Sequence, residues 1–516
     1  MDASRLMPTQ PSDVLKGEIP FSGISPQEQL DQSFSRLLAY TQGKIARYHP
    51  YYRRLFRQQG IDPMAMRSYE DFRKIPLTRK EAIVENQADF TLWPRYPGAG
   101  QTHDAEEIDA ASMERYRQAG TQPGFKDVFR PRPLEERVHE QFLLDWRPIH
   151  FQMSGGTTGK AIVTGYSHSD VHTRFARSGA WWYSLSPHLS PDDKWLNLFP
   201  AAPHLGIYAT MMIPLMQGVP NFNTFGGKVT PTERQILIAA EDRYTVMIGL
   251  PSYMIHWLRL AVAMKEAGQI QGISTFRAAY CGGEPITEAY RSLLKDLFAQ
   301  LGSPSVAVME GMSSTELRTG GFYECGEGTK LHLDPAYYFT EILHPETHEP
   351  VAPGEPGVFV WSHIDWHGTG ILRYWTGDYV SGGLITGTCN HCGLVIPRLG
   401  TPIWRAEKDS TKIKGTRIDL VYLIDAVRGS PGVRTFQVII GKSDPKDPYS
   451  KDTLTIYVAA KGQESVQQLT ESVRQNVQRE LELSPDAVIV EPTETIEAKL
   501  FAKKLKAEWI IDTRPA

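Results

Sequence analysis

Ser154-Gly155-Gly156-Thr157-Thr158-Gly159-Lys160 packs three glycines, three hydroxyls and a terminal lysine into seven residues. Glycines let backbone N–H groups come close to an anion, while hydroxyls and a lysine add donors and charge. That composition grips phosphate. It is not a Walker loop, which requires Gly-x-x-x-x-Gly-Lys-[Ser/Thr]. Counting back from Gly159-Lys160, Ser154 stands at the first glycine position, and Ala161 stands where the Mg²⁺-binding hydroxyl belongs. A P-loop phosphotransferase is therefore disfavoured. A surface turn is the alternative for such a loop standing alone.

The loop does not stand alone. Cys281-Gly282-Gly283-Glu284-Pro285, Met309-Glu310-Gly311-Met312-Ser313-Ser314-Thr315-Glu316 and Tyr374-Trp375-Thr376-Gly377-Asp378 follow in order, then Arg405, Lys412-Ile413-Lys414-Gly415 and a lysine-rich tail with Lys506. These blocks, in register across about 350 residues, resemble the superfamily of adenylate-forming enzymes: acyl-CoA synthetases, peptide-synthetase adenylation domains and luciferases. The chain is most similar to the phenylacetate–CoA ligase branch. Tyr51-Tyr52-Arg53-Arg54 through Lys74-Ile75-Pro76-Leu77-Thr78-Arg79-Lys80 resembles that branch's N-terminal region.

At 516 residues the chain exceeds one ordinary domain, and 41% hydrophobic with 22% charged residues is globular composition. A formal net charge of −4 argues against a broad basic nucleic-acid surface. No apolar run of about 18 residues is present, and Met1-Asp2-Ala3-Ser4-Arg5 lacks a signal-peptide core, so a cytoplasmic location without membrane partner is expected. Four cysteines are too few for a disulfide framework.

Residues 26–82 read as helical, with Leu37, Leu38, Ile45 and Tyr48 on one face. Residues 94–148 lack clear periodicity and read as an insertion relative to the family, a lid or an oligomer contact. Strand-like runs at Trp195–Phe199, Val246–Leu250 and Phe276–Tyr280 alternate with helical stretches at 252–267 and 286–301, which gives α/β layers with a largely parallel sheet. The expected fold is α/β: a large N-terminal adenylating domain of layered sheets and helices (1–407) plus a small, mobile α+β C-terminal domain (408–516). The latter carries strands at Phe436–Ile440 and Thr453–Val458 and a helix near 464–482.

The resemblance implies a role for each block. Residues Ser154 to Lys160 clamp the β- and γ-phosphates of ATP. Glu316, beside Thr315, holds Mg²⁺, as a hard cation bridging phosphates wants few carboxylates and several waters. The backbone of Gly282, Gly283, Glu284 and Pro285 packs against adenine, Asp378 takes the ribose hydroxyls, and Arg405 lies beside them. Here the chain departs from the family. Gly415 is one position further from Arg405 than the family pattern has it, Trp404 replaces a leading glycine, and the hinge is Lys408 or Asp409. Lys506 is implied as the catalytic lysine, stabilising charge between carboxylate and α-phosphate. Leu505 stands where glycine is usual, and Lys504 is the alternative.

Cys389-Asn390-His391-Cys392 with Cys325 and His332 offers three thiolates and one imidazole, a closed tetrahedral zinc set, with His391 competing for the nitrogen position and buried free thiols as the alternative. Cys281 reads as core-facing. His204, Tyr208, Met309, Gly311 and Met312 are candidates for an acid pocket, whose aromatic and sulfur groups suit an aromatic or cyclic carboxylic acid. The acceptor is coenzyme A or an amino acid, the latter as in coronafacate ligase, and the protein a monomer or homodimer. A catalytically silent nucleotide- or acyl-binding relative is the remaining class, disfavoured by the presence of Glu316 and Lys506.

Overall fold

The computed structural model describes residues 23–99, 104–124, 127, 129–154, 161–185, 189–190, 192–286, 288–319, 321–405, 410–414, 416–447, 450–500 and 507–514. Its architecture is the mixed α/β one expected. Short apolar runs around Leu196, Met247 and Ala279 are buried on both faces, the condition of a parallel sheet covered by helices. Trp195–Asn197, Asn221–Asn223, Val246–Gly249, Ala278–Gly282 and Ala307–Met312 pair in parallel. Helices Pro251–Glu266 and Glu288–Leu301 supply two of the crossovers. Four short strands, Phe322–Tyr323, Leu331–His332, Arg398–Leu399 and Leu384–Ile385, extend the sheet antiparallel to nine strands.

The boundaries differ from expectation at one important turn. The strand expected at 276–280 runs Ala278–Gly282, because Gly282 still pairs with Gly311 across the ladder. The following helix is described from Glu288, and Pro285 lies in the turn before it.

A second sheet of four antiparallel strands follows: Tyr338–Leu343, Gly357–His363, Tyr374–Val380 and Ile403–Arg405. Further on, Val433–Lys442 and Asp452–Ala460 pair antiparallel, flanked in parallel by Ile510–Asp512 and Ala487–Val490. With helices Leu420–Arg428 and Val466–Leu481 they enclose a core of their own that includes Leu423, Val438, Ile456 and Val473. The main core runs from Leu37 to Leu399. No helix among the described residues is long and apolar enough to cross a membrane.

The stretch 94–148 has a helical periodicity that the sequence reading did not find. It contains two helices, Ala110–Thr121 and Leu134–Trp146. Val138, Phe142 and Trp146 recur every fourth residue and are buried, a helical spacing that the flanking Pro131 and Pro133 and the many charges obscure. Trp146 stacks on His367 with ring centroids 4.0 Å apart, and its Nε1 donates to the Tyr116 hydroxyl at 2.9 Å.

Arg318 ties the main core together. It has no exposed surface, and its guanidinium lies 4.4 Å from the ring centroids of both Tyr166 and Trp366. Its Nη atoms donate to the Thr369 carbonyl at 2.6 Å, to Asp170 at 2.8 Å and to the Gly165 carbonyl. Asp170 also accepts the Gly368 N–H at 2.7 Å and faces Arg174, which reaches Asp365 at 3.0 Å; Lys44 pairs with the same Asp365. A side chain at Gly368 would fall 2.3 Å from the Gly165 carbonyl oxygen, so only glycine lets the two segments meet. Burial alone would raise the Asp170 carboxyl, but Arg318 and Arg174 more than offset it and hold it well below the usual range.

Removing one partner leaves a buried charge unpaired. Arg318→Met is expected to lower stability by about 3–5 kcal/mol in urea unfolding, more than Asp170→Asn. Asp145 and Asp365 are held below the ordinary carboxylate pKa as Asp170 is, so the native state binds fewer protons than the unfolded one. The contribution of the three carboxylates should be complete above about pH 4 and fall away as pH drops further, read as a declining melting temperature from which Arg318→Met removes the Asp170 share.

Candidate active site

In an open parallel sheet, ligands gather beyond the carboxyl ends of the strands. Three of the segments singled out in the sequence leave the sheet at those ends: the loop 198–204 after Trp195–Asn197, the turn 282–285 at the end of Ala278–Gly282, and Met312 to Glu316 at the end of Ala307–Met312.

The glycine–threonine loop is carried by an antiparallel hairpin, Pro148–Met153 against Val163–Ser167. Ser154 closes its base: its N–H donates to the Ile162 carbonyl at 2.8 Å, and its hydroxyl accepts the Ile162 N–H at 2.9 Å. Gly155, Gly156, Thr157, Thr158, Gly159 and Lys160 lie outside the described residues. Two hydrogen bonds aim the hairpin. Met153 N–H donates to the Pro203 carbonyl at 2.6 Å, and the Thr164 hydroxyl donates to the Thr315 carbonyl at 3.3 Å.

Thr315 and Glu316 are buried, Glu316 to 8% exposure, and among the described residues no hydrogen bond or ion pair engages the Glu316 carboxylate. A carboxylate in such a position is one that a hard cation can complete. Arg318, two residues on, has φ 68°, a left-handed conformation rare for a side-chain-bearing residue and held here by the buried guanidinium.

The turn Gly282–Pro285 is exposed to half-buried. Glu284 does not point at a ligand. Its carboxylate accepts the Ser252 N–H at 3.0 Å and the Ser252 hydroxyl at 2.8 Å, capping the helix Pro251–Glu266. The far side of the turn is fixed by Glu310, which accepts the Ile286 N–H at 3.2 Å. Burial, with Glu324 beside it, pushes Glu310 up to about 7. The backbone of the turn is thus held from two sides. Cys281 is buried against Met254, its thiol pushed up by desolvation, as its core-facing reading requires.

Asp378 and Arg405 are directly opposed in the ladder between Tyr374–Val380 and Ile403–Arg405. The bend before Asp378 comes from Gly377, φ 74°, and the Thr376 hydroxyl both donates to the Phe359 carbonyl at 2.7 Å and accepts the Asp378 N–H at 2.9 Å. Trp404 pairs with Tyr379 and also meets Tyr422, at 5.3 and 5.5 Å. Lys408, Asp409, Lys504 and Lys506 lie outside the described residues.

Of the acid-pocket candidates, Tyr208 joins an aromatic group that sequence reading missed: it stacks on His150 at 4.3 Å and meets Phe175 at 5.0 Å, beside Tyr166. His150 lies on the hairpin, where alternation with Phe151 and Gln152 gave no signal. Burial pushes Tyr208 up to about 12. His204 is the N-cap residue of helix Leu205–Met216. Met309 is wholly buried in the core, Met312 half-buried. Gly311 makes room for Tyr323, whose ring would lie 2.2 Å from any Cβ there.

The four residues Cys325, His332, Cys389 and Cys392 bring one ligand atom each within 4.8 Å of one another. Cys325 and Cys389 sulfurs are 3.7 Å apart, and Cys392 Sγ is 3.5 Å from His332 Nε2. His332 Nδ1 lies 3.1 Å from the Lys330 carbonyl; donating there, it leaves Nε2 free as a ligand. His391 is outside the set of four, although its Nδ1 approaches Cys325 at 3.4 Å. All four positions are protein side chains, which suits a structural rather than a catalytic zinc and would staple the strand edge at Leu331–His332 to the 389–392 knuckle.

The nine-stranded sheet, the second antiparallel sheet and the C-terminal unit together have the mixed α/β architecture of adenylate-forming enzymes. The chain is similar to 2-hydroxyisobutyryl-CoA ligase in its postadenylation state, with TM-score 0.72 and 16% identity over 99% of this chain and 94% of that one. The same enzyme in its thioesterification state gives 0.56, at 18% identity over 94% and 90%. The chain belongs to the AMP-binding enzyme family, whose model matches residues 99–363. Among curated proteins, it is 27% identical over 405 residues to the phenylacetate-coenzyme A ligase of Thermus thermophilus, covering 76% of this chain and 74% of that protein. It is 24% identical over 337 residues to that of Escherichia coli, covering 64% and 62%.

Elemental analysis of the purified protein should find one zinc per chain. Cys389→Ser is expected to lose it and to lower the melting temperature, while Cys281→Ser leaves zinc content unchanged.

Proposed function

We propose that this protein activates a carboxylic acid with ATP and Mg²⁺ as an acyl-adenylate and passes the acyl group to coenzyme A. The observation that carries the reading is the hydrogen bond from Thr164 to Thr315, which joins the phosphate-loop hairpin to the strand end bearing Glu316. Residues Ser154 to Lys160 hold the β- and γ-phosphates, and Glu316 with Thr315 holds Mg²⁺, which supplies charge neutralisation on the phosphates. The backbone of 282–285 faces adenine, and Asp378 with Arg405 takes the ribose. The Tyr208–His150 wall with Met312 favours an aromatic acid.

In the first step a carboxylate oxygen attacks the α-phosphorus, the bond to the bridging oxygen breaks, and pyrophosphate departs with the electron pair. Lys506 neutralises charge shared between the two oxygens. In the second step the coenzyme A sulfur attacks the acyl carbon and AMP leaves. Residues 408–516 form the unit that turns between the steps. The curated relatives named phenylacetate-coenzyme A ligases support both the aromatic acid and the thiol acceptor.

Purified protein with ATP, Mg²⁺ and a panel of aromatic and cyclic acids, with coenzyme A or mixed amino acids, should yield thioester and AMP by mass spectrometry. An N-acyl amino acid without coenzyme A would instead identify an amide ligase. Lys506→Ala is expected to abolish acid-dependent ATP–pyrophosphate exchange while sparing transfer from preformed acyl-AMP, and Glu316→Gln to slow exchange roughly 100-fold.

A further inference from the structure

We infer that Arg428, set against Tyr290 and Trp509, docks the C-terminal unit onto the helix that follows the turn 282–285 for the adenylation step and is a positioning residue for that step. The inference rests on the proposed reading of Lys506.

Trp509 packs against all three hydrophobic clusters of the chain: the main core, the C-terminal core and the small group of Ala459, Ile496 and Leu500. Its backbone is fixed within the C-terminal unit, where its carbonyl accepts the Val438 N–H at 2.8 Å. The Glu508 carbonyl accepts Gln437 Nε2 at 2.9 Å. Its ring meets Phe436 at 4.9 Å on its own side and the edge of Tyr290 at 6.4 Å on the other. Tyr290 is 2% exposed and sits on the helix Glu288–Leu301, which follows the turn 282–285.

Arg428 completes the bridge from the end of helix Leu420–Arg428. Its guanidinium is 3.9 Å from the Tyr290 ring centroid, 5.1 Å from Trp509 and 5.7 Å from Phe436. A cation over ring faces is attracted by their quadrupoles, and more strongly when desolvated. Burial works against the charge, and Tyr290, Asp425 and Glu284 oppose that loss. Glu284, which caps helix Pro251–Glu266 from within the turn, is among the charges that act on Arg428. Arg259–Glu497 and Lys461–Asp296 ion pairs flank it across the same boundary. Withdrawing the C-terminal unit separates the guanidinium from the Tyr290 face, and the loss of that contact favours the docked arrangement, while rehydration of the cation opposes it.

Tyr290→Leu and Trp509→Leu remove a ring face, while Tyr290→Phe and Trp509→Phe keep one. The readouts are acid-dependent ATP–pyrophosphate exchange, single-turnover transfer of preformed acyl-AMP to coenzyme A, and thermal unfolding. The leucine variants should lower the exchange kcat tenfold or more with KM for ATP changed less than threefold. Transfer should stay within threefold of wild type, and the phenylalanine variants should restore exchange. Parallel loss of exchange and transfer, or lost exchange that phenylalanine does not restore, would mean a merely structural role and overturn the inference. Normal exchange in the leucine variants, where Lys506→Ala has lost it, overturns the inference alone. Normal exchange in Lys506→Ala overturns the reading of Lys506 and this inference with it.

Discussion

A guanidinium with no exposed surface must be answered by protein, and the answers given to Arg318 organise the active-site edge. One Nη group reaches Gly165 on the phosphate-loop hairpin and Asp170 just beyond it, and the other reaches Thr369. Arg318 itself lies two residues past Glu316. Burying the charge therefore forces the hairpin and the acidic strand end into one fixed relation. The Thr164–Thr315 hydrogen bond is weak by comparison, and it forms because the buried network has already set the distance. Removing charge here exposes no surface to water, so the penalty falls on the site's geometry as well as on stability.

Much of this was legible in the sequence, for a physical reason. Ser154, Glu316 and Asp378 stand in compact local blocks, and it is on those blocks that the resemblance and the proposed phosphate, Mg²⁺ and ribose roles rest. The parallel sheet was legible through buried β-branched and aromatic runs, and the C-terminal strands through alternation. What stayed hidden depends on contacts between distant segments. Arg318 belongs to no local pattern, since Asp170 and Thr369 lie far from it in the chain. His150 acquires its meaning only when helix Leu205–Met216 brings Tyr208 against it. Glu284 reads as part of an adenine turn, and its side chain instead caps a helix, which only the packing of that helix reveals.

The cysteine set lies between these extremes. A Cys-x-x-Cys knuckle is visible locally, and Cys325 with His332 is visible as a second pair, but the choice between His332 and His391 needs a fold. The structure makes it through the backbone: strand Leu331–His332 pairs with Arg398–Leu399, which places the imidazole beside the knuckle, while the Lys330 carbonyl orients its ring. The four ligand atoms gather at the antiparallel end of the nine-stranded sheet, where the strands are two residues long and have little ladder of their own. A metal there would replace the hydrogen bonds that such strands cannot supply.

On the proposed two-step chemistry, the boundary between the large and C-terminal units has to be firm in one step and broken in the next. A large apolar interface would satisfy the first demand and fail the second, since burial of that kind is characteristic of permanent contacts. The boundary seen here includes charged contacts beside the apolar ones made by Trp509 and by Trp404 with Tyr422. Arg428 lies among three rings, and the flanking contacts are the ion pairs Arg259–Glu497 and Lys461–Asp296. A desolvated cation–π contact contributes about 2 kcal/mol, and an exposed ion pair such as Lys461–Asp296 about 1 kcal/mol or less, while the more buried Arg259–Glu497 pair offsets its own desolvation. Sums of that size, about 2–4 kcal/mol, shift a two-state population by one to three orders of magnitude, since about 1.4 kcal/mol is tenfold. That is enough to hold the docked arrangement while ATP and acid react, and small enough for the departure of pyrophosphate and the arrival of an acceptor to reverse it.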